Sequence, residues 1–556
     1  MTRLRCVGVA VCGLALAGGG ACGKAASPRG RFIVISLDTL RADHLGAYGY
    51  ARPTSPFFDS LTARGTLFEN AIVQLPGTLP SHMSIFTGLY PAEHAVYPPD
   101  AVLSPRILTL PEVFRAHGFR TVGHSEGGYM EGRYGFARGF EEWSEESPLI
   151  EVGGELVKSK EAVRRTFRRG LESLERMRGA QAFFLFLHTY STHDPYDPPD
   201  AYRSLFWKDA PPPGAFAPTG LELTAFNRGQ RRLAPNALEY YRALYDGQIR
   251  YTDDVLKDFF AGLSRLGLDH TVTVILTSDH GEEFLEHGRM VHEQVCQETL
   301  HVPLLVLRPE QTEARRVAAL VQSVDIAPTL YAMAGIPPEG RPPVSGRSLL
   351  GLLGGAAAAG GGEAYAEAFV TRDRVLYRQD GDRLLQLVQR EPRVVENGIW
   401  VSRSVWFETF APSVRFWAAS YRQPRELVIR ADGVRLGSGR VDPEGEWFEF
   451  RLSPREDRRR VELSSPTCTV PKDVGEGDDP RCLSFRVKEL GLHRWELYDL
   501  TADPRGVRDL SSERAAVTRE LARRLAAYER GPIAAPGRES ADREREERLR
   551  ALGYAH

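Results

Sequence analysis

The chain has no apolar stretch long enough to cross a membrane as a helix. Its N-terminal run, Cys6 to Ala17, falls short of the ~20 residues a span requires. No transmembrane helix is therefore expected in the mature form. An excess of one charge is also missing: 71 Lys and Arg face 73 Asp and Glu, a net charge of −2. That balance excludes the basic footprint of a nucleic-acid partner or an anionic membrane surface. Cysteine is scarce, with six in 556 residues, three of them (Cys6, Cys12 and Cys22) close to the start. None of the six stands in a CxxC or Cys/His zinc spacing. No internal repeat is evident.

What is present begins with Arg3 and Arg5, the apolar run, and the small residues Gly18-Gly-Gly-Ala-Cys22. A basic start, a short apolar stretch and small residues together read as an export signal over 1–22. Cys22 after Gly20-Ala21 resembles a lipobox, which makes a lipid anchor at the periplasmic or cell surface the expected fate of an exported chain. Short apolar strands then alternate with helical patterns. Arg31–Leu37, Thr121–His124, Ala182–His188, Thr271–Thr277 and Val302–Leu307 read as strands; Ser55–Phe68, Leu110–His117, Glu161–Met177 and Ala237–Leu266 read as helices. Continuous Val/Ile/Leu/Phe strands between helices predict an α/β fold, with a mostly parallel sheet covered on both faces, over about 30–350. A Gly/Ala-rich stretch, Gly351 to Gly362, opens a linker over 351–393. The segment 394–486 reads as a β-rich insertion of short strands, clearest at Glu426–Arg430, the Asp432-Gly433 turn and Glu446–Arg451. Within it Cys468 and Cys482 flank a loop with little apolar content, a plausible disulfide in an oxidising compartment. A smaller C-terminal subdomain over 487–556 ends in alternating charges, Ser540 to Arg550, the pattern of a solvated helix.

Three predicted strands end in groups that carry chemistry: Asp38, His188 with His193 just beyond, and Asp279-His280-Gly281. In an open α/β sheet the ligand crevice lies outside the carboxyl ends of the strands. Carboxylate and imidazole from separate strand ends suit a divalent cation such as Ca²⁺, Mn²⁺, Mg²⁺ or Zn²⁺. In Gly77-Thr-Leu-Pro-Ser-His82, Gly77 permits an unusual backbone and Pro80 suits a first helical turn. Thr78 is thereby placed just before a helix N-terminus, where an anion is favoured and a hydroxyl beside a cation can act as a nucleophile. Taken singly, each of these residues also fits an ordinary cap or turn.

Leu37-Asp-Thr-Leu-Arg-Ala-Asp-His-Leu-Gly46, Ala47–Tyr50 and Arg52–Pro56 resemble the sulfatase family of the alkaline phosphatase superfamily. The likeness continues through Thr78–Tyr90, His188–Tyr196, Tyr245–Tyr251, Thr277–Phe284, His301–Leu305, Ser323–Leu330, Gly346–Leu349 and Trp495–Leu500 with Asp503-Pro504. It covers most of the chain except the signal and the β-rich insertion, and it implies an alkaline-phosphatase-like fold. It also implies that Asp38, Asp279 and His280 hold one divalent cation, Ca²⁺ by resemblance, that Thr78 is the nucleophile and touches the metal, and that His193 contacts the anionic group or leaving oxygen of the substrate. His292 lies close to a position that is Lys or His in relatives.

The departures bear on the substrate. Sulfate-ester members carry Cys or Ser, matured to formylglycine, in a Cys/Ser-x-Pro-Ser-Arg pattern; here Thr78 cannot mature that way, and His82 takes the place of Arg within the catalytic group. The family's Gly-Lys-x-His-Leu-Gly segment is missing, with Gly123–Gly128 near its place, and Thr39 stands where many members have a second Asp. Thr nucleophiles occur in two-metal relatives, but Thr189 occupies the position of the extra Asp that a second metal would need. The reading is an exported, metal-dependent hydrolase of phosphate or sulfate esters, with a small-molecule or saccharide ester as substrate. The alternative is a sulfatase-fold surface protein that has lost turnover and binds a polysaccharide or protein partner.

Overall fold

Eight strands build the central sheet: β1 (Gly30–Leu37), β2 (Thr66–Ile72), β3 (Arg120–Ser125), β4 (Glu142–Glu145), β5 (Ala182–Thr189), β6 (Thr273–Thr277), β7 (His301–Leu307) and β8 (Arg315–Gln322). Their order is β8-β2-β7-β6-β1-β5-β3-β4. All run parallel except β7, which is antiparallel to both its neighbours. The computed structural model describes residues 30–152, 155–356, 362–369, 373–390, 399–401, 404–409, 413–452, 459–469, 483–488, 494–511, 513–528, 532–538, 547–550 and 552. The expected export signal with Cys6, Cys12 and Cys22 lies outside the described residues. Among the described residues no helix is long and apolar enough to cross a membrane.

The central strands are apolar on both faces because both are covered. On β1, Phe32 and Val34 join a core with helices α1 (Thr78–Thr87), α2 (Leu110–Ala116) and α5 (Ile326–Met333). Ile33, Ile35 and Leu37 join the opposite core with helices α3 (Ala162–Met177) and α4 (Ala237–Arg265). Successive side chains of a strand point to opposite faces, so a doubly covered strand buries every position, worth about 1.5–3 kcal/mol for each large apolar side chain. The expected mostly parallel sheet with helices on both faces is what forms.

Two expectations need correction. The helical pattern read over Ser55–Phe68 stops at Leu61, passes through a 3₁₀ turn at Thr62–Arg64 and becomes strand β2 at Thr66. Gly65 marks the change: a Cβ there would meet Leu307 and Leu305 at 2.6 and 2.8 Å. Gly77, read as a residue with an unusual backbone, is extended at φ −178°. What favours glycine there is space, since a Cβ would lie 3.2 Å from Leu75.

Beyond the sheet, Glu363–Glu367, Arg374–Asp380, Arg383–Arg390 and Arg494–Asp499 form an antiparallel sheet packed by helix α6 (Ala515–Ala526). The last two strands are neighbours, so the chain between them is looped out of that sheet. It forms two further four-stranded sheets, whose inward residues Val414, Phe416, Leu427, Ile429, Val461 and Leu463 share one core. This is a β-sandwich. Its Asp432-Gly433 turn takes positive φ at both residues, 50° and 81°, the geometry of a type I′ hairpin. The expected tail helix is described only at 547–550, which is helical.

Cys468 is disulfide-bonded; Cys482 lies outside the described residues. Thr469 and Leu483, each next in sequence to one of the two cysteines, pair in antiparallel register, with reciprocal N–H to O bonds of 2.9 and 2.8 Å. We expect peptide mapping without reduction to recover Cys468 linked to Cys482, closing a loop worth about 3 kcal/mol in the chain-entropy model. Free thiols at both positions in protein from an oxidising compartment would rule the pairing out.

Candidate active site

The site forms where β1, β5 and β6 end side by side, because the register of the parallel strands brings Asp38, His188 and Asp279 to one rim. Immediately after Asp38 the chain turns sharply: Thr39 has φ 57°, a left-handed conformation rarely adopted by a β-branched residue. Three bonds hold it. Thr39 N donates to Asp279 Oδ1 (3.3 Å), Thr39 Oγ1 donates to Asp38 O (2.8 Å), and the Tyr245 hydroxyl donates to Thr39 O (2.7 Å). Two sequence motifs interlock here. Asp246, next to Tyr245 on α4, accepts from His44 Nδ1 (2.8 Å), Tyr50 (2.9 Å) and Arg52 (2.8 Å). Arg41, buried, bridges Asp43 at 2.7 and 2.8 Å to the Glu282 carbonyl at 2.9 Å and Glu286 at 3.0 Å. The loops after β1 and β6 are thereby fixed to each other.

Asp38, Asp279 and His280 present ligand atoms within 4.8 Å of one another, and all three are fully buried. His280 Nδ1 donates to the Gly281 carbonyl (2.9 Å). A carbonyl only accepts, so the tautomer that makes this bond turns the Nε2 lone pair of His280 toward the two acids. That atom lies 3.4 Å from Asp279 Oδ2 and 3.9 Å from Asp38 Oδ1. Both carboxylate oxygens lack a hydrogen-bond partner among the described residues. His82 Nδ1 lies 3.3 Å from Asp279 Oδ2, but its proton goes to the Thr78 carbonyl. Buried acceptors left unpaired are unfavourable; a divalent cation between them would satisfy all three, and the donor set fits one. Without it, burial pushes the Asp38 carboxyl up to about 7. Gly281 allows the turn to pass close to its neighbour, since a Cβ there would meet the Glu298 carbonyl at 1.9 Å.

Thr78 is the first residue of α1 rather than its predecessor, Gly77 being the cap. Its hydroxyl donates to Asp38 Oδ2 (3.2 Å) and lies 3.5 Å from His280 Nε2. The strand-end pair and the Thr78 hydroxyl therefore lie together. His188 Nε2 donates to the same Asp38 oxygen at 3.0 Å. His82 serves the site from beneath: Ser36 Oγ lies 2.9 Å from its Nε2, and its Nδ1 donates to the Thr78 carbonyl at 2.9 Å. Both of its nitrogens are engaged, so it positions the first turn of α1 and has no nitrogen left for substrate.

His193 and His292 line the same space. The His292 ring centroid is 4.3 Å from that of His280 and 5.3 Å from that of His193. Each donates from Nδ1, His193 to the Asp194 carbonyl (2.9 Å) and His292 to Glu282 Oε1 (3.2 Å). Burial lowers both imidazoles, His292 to about 4, so each is neutral at pH 7. With a side chain 16% exposed against 1% or less for Asp38, Thr78, His193, Asp279 and His280, His292 marks the side open to solvent.

Two residues were not picked out from the sequence. Glu282, buried and pushed up to about 7 by that burial, orients His292; its place three residues after Asp279 was the available signal. The ammonium of Lys158 donates to the carbonyls of Tyr190 (3.2 Å) and His193, tying down the loop that carries His193. It reaches there from the hairpin Leu149–Val152 with Glu155–Lys158, and nothing in the local sequence marks it.

The chain is 26% identical over 336 residues to arylsulfatase K of Mus musculus, covering 54% of this chain and 60% of that protein. It thus spans about 60% of the length of this curated relative. Among solved structures it resembles a phosphonate monoester hydrolase of Agrobacterium radiobacter (TM-score 0.56, 17% identity, 90% of this chain and 95% of that one). It also resembles a protein solved in complex with its substrate D-glucosamine-2-N,6-O-disulfate (TM-score 0.58, 14% identity, 90% and 99%). The sulfatase family model matches residues 31–336, more than half of the chain, and the chain belongs to the sulfatase family.

Proposed function

We propose that this protein is a metal-dependent hydrolase of phosphate- or phosphonate-type esters that uses Thr78 as its nucleophile. The observation that carries the reading is the Thr78 hydroxyl at 3.2 Å from Asp38 Oδ2 and 3.5 Å from His280 Nε2, at the N-terminus of a ten-residue helix. Asp38, Asp279, His280 and Thr78 would hold the cation; Ca²⁺ follows from family resemblance, and Mn²⁺, Mg²⁺ and Zn²⁺ also suit these donors. When bound, such an ion lowers the pKa of a hydroxyl it touches and neutralises charge at the reacting centre.

The histidines start as bases, because burial keeps them neutral with Nδ1–H already donated. Thr78 Oγ1 passes its proton to the Nε2 of His193 or His292 and bonds to phosphorus. The bond from phosphorus to the ester oxygen breaks, and the imidazolium returns the proton to that oxygen. Water then gives a proton to the same imidazole and attacks the Thr78 ester; the Thr78 oxygen leaves, is reprotonated, and the acid is released. A plain threonine ester must be hydrolysed in this second step, whereas formylglycine avoids it for sulfate, so Thr78 favours phosphoryl over sulfuryl chemistry. The relatives named for sulfate and phosphonate esters support an ester hydrolase in general. Export, with a lipid anchor at Cys22, rests on the N-terminal pattern alone.

The second reading, a binding protein without turnover, is favoured by the absent formylglycine precursor and by the β-sandwich looped out of the C-terminal sheet. Purified protein, stripped and reloaded with each of the four metals, decides between them. We expect turnover of aryl phosphate or phosphonate esters, and little or none of aryl sulfate. Tight metal binding with no hydrolysis of any of these esters would replace the enzyme reading with the binding one.

A further inference from the structure

A second group of metal-ligating side chains lies outside the Asp38 site. His287 Nε2, Cys296 Sγ and a Glu298 carboxylate oxygen sit within 4.8 Å of one another. His287 lies on the loop of a hairpin, Glu283–Phe284 with Met290–Val291; Cys296 caps the short helix Gln297–Leu300, which carries Glu298. Cys296 and Glu298 are buried, and the His287 side chain is 23% exposed. By itself the His287–Glu298 contact, 3.0 Å between Nε2 and Oε2, is an ordinary ion pair, and Cys296 an ordinary buried thiol held 3.5 Å from Thr299 Oγ1.

What does not fit that reading is Glu283. It is fully buried, its Oε1 accepts from Gln294 Nε2 (2.7 Å), and its Oε2 has no hydrogen-bond partner among the described residues. It stands close enough to the thiol that its charge, after burial and ahead of that of Glu298, pushes the Cys296 thiol up. The cations that face this cluster are engaged elsewhere: Arg41 by Asp43 and Glu286, Arg390 by Asp373 and Glu496. Two buried carboxylates and a thiol thus share one histidine. Burial pushes the Glu283 carboxyl up as well, so without a metal it is held neutral with Oε2 unpartnered. A buried polar atom left unpaired is costly, and a divalent cation would draw these groups into one charged ligand set. Thiolate, imidazole and carboxylate together are the donor set of a zinc-type ion, whereas Ca²⁺ and Mg²⁺ prefer oxygen alone.

We propose that His287, Cys296 and Glu298 bind a second, zinc-type cation, with Glu283 beside them, and that this ion clasps the segment carrying His292. On binding, the Cys296 thiol and His287 release their protons to solvent as the sulfur–metal and nitrogen–metal bonds form. The clasp closes residues 287–298 at both ends and so holds His292 against Glu282. Metal binding at this site does not rest on Thr78 being the nucleophile, and the site contains the sulfur ligand that the Asp38 site lacks.

Cobalt(II) tests the site, because a thiolate–cobalt bond produces a near-ultraviolet charge-transfer absorption that oxygen and nitrogen ligands do not. The metal-stripped full chain, titrated with cobalt alone, should take up two equivalents and develop that band. Cys296→Ser should abolish the band and keep one equivalent. Asp279→Ala should keep the band and lose the other equivalent, which separates this proposal from the reading of the Asp38 site. His287→Ala, at a partly exposed position that tolerates truncation, should weaken cobalt affinity at the band by at least about 10-fold. Absence of the band in the folded parent protein, or its persistence in Cys296→Ser, would overturn the proposal.

Discussion

Replacing Thr78 by Ala should reduce ester turnover by roughly 10⁴- to 10⁶-fold, the scale seen when a covalent nucleophile is removed, while the bound cation is retained. Metal is kept because Asp38, Asp279 and His280 supply its other contacts, and folding is kept because the α1 cap is the Gly77 backbone rather than the Thr78 hydroxyl. Thr78→Ser should hold activity within about 10-fold, since the oxygen remains and only a methyl is lost. Thr78→Cys bears on the origin of the departure from sulfate chemistry. In a host with a formylglycine-generating enzyme it should stay without aryl-sulfatase activity, because His82 occupies the maturation-motif position of Arg. Steady-state rates on the best ester, paired with elemental analysis of each variant, read all three. A Thr78→Ala protein that turns over at the parent rate would reduce Thr78 to a helix-start residue and return weight to the binding-protein alternative.

Asp279→Ala, and separately Asp38→Ala, should leave the protein folded but lower metal affinity by more than about 100-fold, and abolish hydrolysis with it. Outer-shell changes alone cost about 10- to 100-fold, and these are contacts to the ion itself. The fold should survive because Arg41, Tyr245 and Asp246 still tie the loops after β1 and β6 together, although each substitution also removes the bonds to the other carboxylate oxygen, from Thr78 and His188 to Asp38 Oδ2 or from Thr39 N to Asp279 Oδ1. The thermal midpoint of the metal-free variants should stay within about 4 °C of the metal-free parent, a shift of roughly 3–5 kcal/mol or less for a chain of this length. The metal-bound parent should be more stable than either by mass action. Full metal occupancy in both variants would sink the assignment. A collapse of the metal-free fold would instead make these acids structural.

The sheet was legible in the sequence because its strands are buried on both faces. A run such as Phe32-Ile-Val-Ile35 needs no partner to be recognised as a strand that helices must cover. Asp38 and Asp279-His280 were legible for the same reason, since the carboxyl end of a parallel strand is a place defined by the strand itself. Strand β2 was not, because Phe57, Leu61 and Phe68 mimic a helical spacing across Gly65, and only contact with Leu305 and Leu307 resolves it. The role of His82 was equally hidden. A histidine four residues after Thr78 can face substrate or lie beneath the helix, and the bond to Ser36 on β1, 46 positions away, selects the second. The same holds for Lys158, Glu282 and the His287–Cys296–Glu298 group. Their meaning lies in distances between segments that the chain brings together only after folding, and local composition has no record of them. The sequence alone determined the family and the strand ends, and it marked Thr78 as the candidate nucleophile. Tertiary structure decided which histidine nitrogens are engaged and which line the candidate site, because burial and cross-segment hydrogen bonds set the surroundings of each nitrogen.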